Sequence, residues 1–499
     1  MVYSFGVQGF EGAIIQVETD LRRGIPGIEI VGLASDSVRE SRERIRIAFR
    51  SCGIAFPQER ILINLSPGDV RKTGVGFDLP IALSLLQATG KCPVPLQPLL
   101  ALGELQLSGE VRPVKGVFAA VARGMEEGIN LFVVPQGNLK EAQAVPGAQV
   151  YAVGHLSQAL SLEPGVTPLA KIAEESPSSA DKNTRGLPLE ILRGAPELHL
   201  ALQVAAAGGH HLLLAGPPGG GKTLSSRVME GLLPPLDFTE ALRVTHIWSL
   251  AGKVDPRDGL VQRRPLRSPH HSSSAEGLLG GGRGLLPGEV SLAHGGVLFL
   301  DEAPEFSPHV LQSLREPLEE GAISLARAGM TTRYPAAFQL MLAANRCPCG
   351  ALGAQGGFCC CSPQEVQGYW KRMGGALLDR VDLRIMVTPP TSEELLGPPQ
   401  VKSREVIERV SQAALRQRER QGKSNCRLGP QELENIHLTT PVRQELNHGS
   451  RNRGLSARGF HSALRVALTL MDLEGTQSLA PHHVTQALEL RREIEDFQG

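Results

Sequence analysis

Gly216-Pro217-Pro218-Gly219-Gly220-Gly221-Lys222-Thr223 fits the pattern G-x-x-x-x-G-K-[ST] at every fixed position. The chemistry it offers is the holding of nucleotide phosphates. A glycine-rich turn lets backbone N–H groups approach an anion, and a helix starting at its end adds a positive dipole end. Lys222 is placed to reach the β- and γ-phosphates, and the Thr223 hydroxyl to hold Mg²⁺. The motif alone fits ATP or GTP. About 80 residues later, Val297-Leu298-Phe299-Leu300 runs into Asp301-Glu302. A buried strand with this ending supplies Asp301 to the Mg²⁺ shell and Glu302 to orient or deprotonate an attacking water.

Five of the eight cysteines fall in Cys347-Pro348-Cys349 and Cys359-Cys360-Cys361, which is no disulfide framework. Cys347, Cys349, Cys359 and Cys361 can offer four thiolates to a tetrahedral Zn²⁺, with Cys360 as a fifth choice. The C-x-C spacing is tighter than the usual C-x₂₋₄-C. Such a metal is expected to be structural, tying the loop after Asn345.

The elements that must position these groups follow from the patterning. A chain of 499 residues should hold two to four domains. With 41% hydrophobic and 20% charged residues it suits a globular protein with a core. Its formal net charge of zero gives no global field for nucleic acid. No apolar run approaches the ~18 residues of a membrane span, and Met1 to Gly6 lacks a signal-peptide pattern. A cytoplasmic location without membrane association is expected.

Residues 1–162 read as α/β, with strands near Ala13–Glu18, Ile28–Val31, Arg60–Leu65 and Leu131–Pro135 and helices at Ser37–Ser51 and Asp78–Thr89. Residues 163–187 have linker composition. A second α/β domain spans 188–398, with an Ala/Leu-rich helix at Glu197–Gly208 leading to the strand before the glycine loop. Residues 399–499 read as helical.

Gly103-Glu104-Leu105-Gln106-Leu107-Ser108-Gly109-Glu110-Val111-Arg112-Pro113-Val114-Lys115-Gly116 resembles the Lon-protease-like domain, of the ribosomal S5 domain 2-like fold. The positions of that family's Ser/Lys dyad align with Phe77 and Phe118, which are neither nucleophile nor base. The resemblance therefore implies an inactive domain serving as scaffold or binding surface. Downstream, the order of motifs resembles AAA+ ATPases. There Asn345, closing the strand Gln339–Ala344, stands at sensor 1, although by itself an Asn at a strand end reads as a turn residue. Leu377-Leu378-Asp379-Arg380-Val381-Asp382-Leu383 resembles the segment that carries the arginine finger of magnesium-chelatase and MCM ATPases. Arg380 is the candidate finger, reaching a neighbouring subunit's site; the competing use is a surface ion pair with Asp379 or Asp382. Arg458 fits sensor 2 in a helical lid, with Arg465 the alternative.

Ser268-Pro269-His270-His271-Ser272, Pro287-Gly288-Glu289-Val290, Asp301-Glu302-Ala303-Pro304-Glu305 and Cys347-Pro348-Cys349-Gly350 follow in order. With the N-terminal part, nearly the whole chain resembles the YifB family of Mg-chelatase-like AAA+ ATPases. Ala195 and Ala303 are mild departures from its pattern. The resemblance implies ATP and Mg²⁺ as cofactors, a ring of hexameric kind, and movement on branched or single-stranded DNA, as in helicases and branch migration during recombination or natural transformation. A β-hairpin expected within Leu318–Pro335 would point Arg327 and Arg333 into the ring pore toward phosphates. Arg263-Arg264-Pro265-Leu266-Arg267 is a second basic cluster, and Gly277–Gly288 reads as a mobile loop; solvated surface arginines are the competing reading of both basic stretches. A magnesium-chelatase subunit and an ATP-dependent chaperone or adaptor are the alternative functions, and a Lon-type protease is disfavoured by Phe77 and Phe118.

Overall fold

Fully apolar strands need cover on both faces, and the chain builds its central sheet accordingly. The computed structural model describes residues 1–74, 76–91, 97–160, 186–255, 258–282, 284–327, 329–354, 356–399 and 401–498. The expected linker lies outside these residues apart from Gly186 and Leu187. Within residues 186–399, five parallel strands lie in the order Leu266–Arg267, Val297–Leu300, Gln339–Ala344, Leu212–Ala215, Leu383–Met386. Every residue of Leu212–Ala215, Val297–Leu300 and Gln339–Ala344 is buried. Residues before 161 form a separate seven-stranded mixed sheet in the order Gly27–Val31, Arg60–Ser66, Ala13–Arg22, Val2–Gly6, Leu99–Ala101, Leu131–Pro135, Gln149–Val153. The helix Asp78–Ala88 packs on its face and buries Leu79 to Leu86 almost without interruption.

The register of the central sheet sets the site. Ala215 pairs with Ala344, and Leu300 with Leu342. The strand Gln339–Ala344 thus lies between the strand leading to the glycine loop and the strand leading to Asp301. All three release their chains at the carboxyl edge, where an open parallel sheet takes its ligands.

Helices Ser403–Gln421, Thr440–Asn452, Ala457–Glu474 and Pro481–Glu489 form the C-terminal part. The first and third pack on helix Pro196–Gly208. A buried polar network fastens them to the sheet. His210 Nδ1 lies 3.1 Å from Asp382 Oδ2, and its Nε2 lies 2.8 Å from the Thr469 hydroxyl. Ser462 donates to Asp382 Oδ1 at 2.5 Å. Burial alone would raise the Asp382 carboxyl, but the His210 hydrogen bond and neighbouring cations outweigh it and hold it well below the usual carboxylate range.

Contacts between the N-terminal part and residues 186–399 include two hydrogen-bonded clusters. The buried Glu141 carboxylate accepts from Phe118 N–H at 2.9 Å, from Asn138 at 2.9 Å and from the Ser249 hydroxyl at 2.8 Å. The turn after the first strand reaches the hairpin Ala322–Arg327/Met330–Pro335: Phe10 N–H donates to Thr332 Oγ1 at 2.9 Å, and its ring meets Tyr334 edge-on at 5.5 Å. The stretch Gly277–Gly288, read from sequence as a mobile loop, instead overlaps the end of helix Ala275–Leu279 and includes a short pairing of Gly280–Gly281 with Leu286–Pro287. The glycines there allow close backbone approach: a Cβ on Gly288 would lie 2.3 Å from Gly280 N.

Removing one partner of a buried pair costs about 3–5 kcal/mol, so Asp382→Ala should lower unfolding stability by that order in urea titrations. A depressed carboxylate stabilises above its unfolded pKa of about 3.9 and loses that contribution as pH falls through the folded value. The stability gap between the native chain and Asp382→Asn should therefore narrow below about pH 4.

Candidate functional site

Gly216 leaves the sheet with its N–H donating to Ala344 O at 3.2 Å. A Cβ at Gly216 would lie 2.0 Å from Val387 O, so only glycine passes here. Gly219 and Gly221 take φ of +83° and +78°, and helix Lys222–Leu232 starts immediately after. The loop therefore turns its backbone onto the amino end of an eleven-residue helix, the geometry that binds phosphate.

Lys222 Nζ donates to Gly216 O at 2.7 Å, Pro217 O at 2.9 Å and Asn345 Oδ1 at 3.1 Å. Two of its ammonium protons are thus held by the loop itself and the third by Asn345. Burial pushes the ammonium pKa down, while the nearby Asp301 and Glu302 push it back up. Asn345 reaches Lys222 because its strand pairs residue for residue with the one before Gly216.

The Thr223 hydroxyl donates to Asp301 Oδ2 at 2.6 Å, and Asp301 Oδ1 accepts the Glu302 N–H at 3.0 Å. A hydroxyl and a carboxylate in contact are hard oxygen donors of the kind Mg²⁺ takes. Glu302 sits at φ +50°, ψ +47°, a left-handed conformation that costs a non-glycine residue about 1 kcal/mol or more. This turn takes its carboxylate off the strand line into an exposed position. His271 Nδ1 lies 3.7 Å from Glu302 Oε2, and the His270 ring lies 4.1 Å from that of His271. The motif Ser268–Ser272 is visible in the sequence, but its closeness to Glu302 is not, because about 30 residues separate them.

Arg380 and Arg458 do not join this group. Arg380 is folded back on Glu319 and on Ala376 O, with its side chain only 9% exposed and its Nε buried without a hydrogen-bond partner. Arg458 donates to the same Glu319 oxygen at 3.2 Å and lies 3.9 Å from Asp379. Both line a cavity of about 1690 Å³ to which residues 216–223 contribute nothing among the described residues. Arg465 also borders it, with its guanidinium on Cys426 O at 2.8 Å. Asp382, a possible partner for Arg380 from sequence, is instead buried with His210 and Ser462.

The basic stretches divide. Arg264 is bonded to Glu240 at 2.8 Å, and Arg267 is bidentate to Glu289 at 2.6 and 2.8 Å, so neither is a free phosphate ligand. Arg327 is exposed near the hairpin tip, and Arg333 is exposed with Glu320 at 3.0 Å. The Sγ atoms of Cys347, Cys349, Cys359 and Cys361 converge within 4.8 Å of one another, and Cys360 is left exposed outside the group. The Ala351 N–H and the neighbouring Cys347 thiol draw the Cys349 thiol down to about 6. Phe77 and Phe118 are both buried in the N-terminal part. His483 accepts the Ala480 N–H at 3.0 Å and meets Glu474 at 2.9 Å.

A parallel sheet that presents a glycine loop, a paired Thr and Asp, a following Glu and a strand-end Asn at one edge defines a P-loop ATPase of the AAA+ class. Residues 189–395 match the family described as magnesium chelatase, subunit ChlI; residues 17–138 match subunit ChlI of Mg-chelatase; and 400–491 match the ChlI C-terminal region. An uncharacterised protein of Mycobacterium tuberculosis is 40% identical over 98% of both chains. The competence protein ComM of Haemophilus influenzae is 36% identical over 100% of this chain and 98% of its own. The YifB protein of Escherichia coli is 36% identical over 98% of this chain and 96% of its own. The chain belongs to the YifB/ComM family of magnesium-chelatase-like AAA+ ATPases. Among the described residues no helix is long and apolar enough to cross a membrane.

Asn345→Ala removes a Lys222 acceptor at the edge of the glycine loop. ATP hydrolysis should fall about 10²-fold, the order seen when one aligned donor is lost. Equilibrium binding of a fluorescent ATP analogue should change little. Equal loss of both would assign Asn345 to binding.

Proposed function

We propose that the chain is one subunit of a ring, of hexameric kind, that couples ATP hydrolysis to movement on DNA, in the class of branch-migrating helicases that act in recombination and natural transformation. The observation that carries this reading is the split of the site. Lys222, Thr223, Asp301 and Asn345 form one cluster with Glu302 beside it, while Arg380 and Arg458 share Glu319 beside a separate cavity. A phosphoryl-transfer site without a cationic group opposite the lysine is half built. A neighbouring subunit's Arg380 and Arg458 would complete it, exchanging Glu319 for the transferring phosphate.

In this reading the loop amides and Lys222 bind the β- and γ-phosphates. Thr223 and Asp301 would hold Mg²⁺, which would supply positive charge to offset that of the phosphates. Glu302 orients the water, and Asn345 fixes the angle between water and γ-phosphate. Arg327 and Arg333 on the hairpin are the proposed phosphate contacts with DNA, and full-length likeness to a relative named competence protein supports DNA as the partner. Residues 1–162 are proposed as a Lon-like scaffold without peptidase chemistry, and residues 399–499 as the lid. Zn²⁺ is the ion proposed for the four clustered thiols. A magnesium-chelatase subunit is the second reading, favoured by the family descriptions that all three segments match.

Two measurements test this. ATP hydrolysis should rise severalfold with forked or single-stranded DNA, and movement of a branched junction should vanish in Glu302→Gln; hydrolysis indifferent to DNA would favour the adaptor, and metal insertion into a porphyrin the chelatase. Arg380→Ala subunits and Lys222→Ala subunits, each inactive alone, should recover part of the activity when mixed. No recovery despite normal assembly would remove Arg380 from a shared site.

A further inference from the structure

The four converging cysteines stand directly behind Asn345. Cys347 is fully buried two residues after it. The Sγ–Sγ separations are 3.3 Å for Cys347–Cys349, 3.7 Å for Cys349–Cys359 and 3.6 Å for Cys359–Cys347. Four sulfurs at 2.3 Å from one ion sit about 3.8 Å apart at tetrahedral angles. These three edges suit a single ion and are too short for an iron–sulfur cube between them, and Cys361 Sγ lies within 4.8 Å of the other three. All four are free thiols. An all-thiolate tetrahedral set selects zinc over Mg²⁺ or Ca²⁺.

The same turn touches the nucleotide loop. Gly350, at φ +76°, donates its N–H to Cys347 O at 3.0 Å and folds the chain over Pro218. A Cβ on Gly350 would lie 3.5 Å from Pro218 Cγ and 3.8 Å from Asn345 Nδ2. On the other side Trp370 Nε1 donates to Arg346 O at 3.0 Å. The backbone from Asn345 to Gly350 is therefore fixed by Trp370 behind, by the glycine loop in front, and by thiols drawn from a second segment about ten residues away. Between Cys349 and Cys359 the described residues form only turns, with no strand or helix to hold the two cysteine pairs together.

We infer that Cys347, Cys349, Cys359 and Cys361 hold one Zn²⁺ that acts as a strut, fixing Asn345 against Lys222 and the glycine loop. The role deepens the proposed ATPase reading and rests on it. A strut of this kind affects hydrolysis more than binding, because the phosphates are held mainly by the loop amides and Lys222, whereas Asn345 acts on the geometry of the γ-phosphate and water. It also accounts for Cys360 lying outside the group: in an extended segment residues i and i+2 share a side and i+1 faces away.

The test is metal analysis of the full-length protein purified under reducing conditions without chelator, alongside hydrolysis and ATP-analogue binding. The native chain and Cys360→Ser should each carry one zinc per chain and hydrolyse ATP equally. Cys349→Ser should lose the zinc and at least about tenfold in hydrolysis, the scale on which supporting groups around metal sites act, with analogue affinity within about threefold. Cys349→His, which keeps a zinc ligand, should regain most of the metal and the rate. Native protein without zinc, or with iron in its place, overturns the site. Zinc lost from Cys349→Ser with hydrolysis unchanged overturns the strut while leaving the site. Retained analogue binding separates either result from a chain that failed to fold. A zinc-loaded native protein that hydrolyses no ATP sinks the proposed function, and the strut with it.

Discussion

The constraint on which the rest of the site depends is strand register, and its clearest mark is the hydrogen bond between Lys222 and Asn345, 123 residues apart in the chain. It exists because three parallel strands end at one edge in fixed register, with Ala215 beside Ala344. A shift of one residue would exchange the two faces of a strand and carry its terminal side chain away from the loop. Burial of both faces removes that freedom, since each apolar residue of these strands has core on its side of the sheet. The positions of Asp301, Glu302 and Asn345 are thus consequences of packing below the edge, and the polar contacts at the edge follow from it.

Two kinds of polar contact around this core differ in what they do. Asp382 with His210 and Ser462, and Glu141 with Ser249, are buried and bridge one layer to the next, so they position whole elements. Arg380 and Arg458 with Glu319 lie at the border of an open cavity, where a carboxylate shared by two arginines is a modest, exchangeable partner. Arg380 and Arg458 are therefore held away from the phosphate loop of their own chain. In the proposed ring, a phosphate presented by another subunit, carrying more charge than Glu319, would draw those arginines out.

What was legible in the sequence is what depends on neighbours along the chain. The glycine loop, the apolar run into Asp301-Glu302, the helix expected at Asp78–Thr89 and found at Asp78–Ala88, and a hairpin within Leu318–Pro335 all follow from local patterning. The rest needed distant partners. Nothing local tells that Arg264 and Arg267 are neutralised by Glu240 and Glu289, or that Arg380 and Arg458 meet on one carboxylate. His271 was visible as part of a motif, yet only the fold brings it near Glu302. Gly277–Gly288 misled because glycine serves mobility and tight backbone approach equally, and here Gly280 and Gly288 serve the second.

The central claim is that the phosphate site is shared between subunits. The most direct measurement is a structure of the assembled protein with a non-hydrolysable ATP analogue and Mg²⁺, read at one place: the guanidinium of Arg380. The account predicts that it has left Glu319 and lies within hydrogen-bond distance of the γ-phosphate bound by a neighbouring subunit's Lys222. An Arg380 that stays on Glu319, or that reaches the phosphate of its own chain, would contradict it.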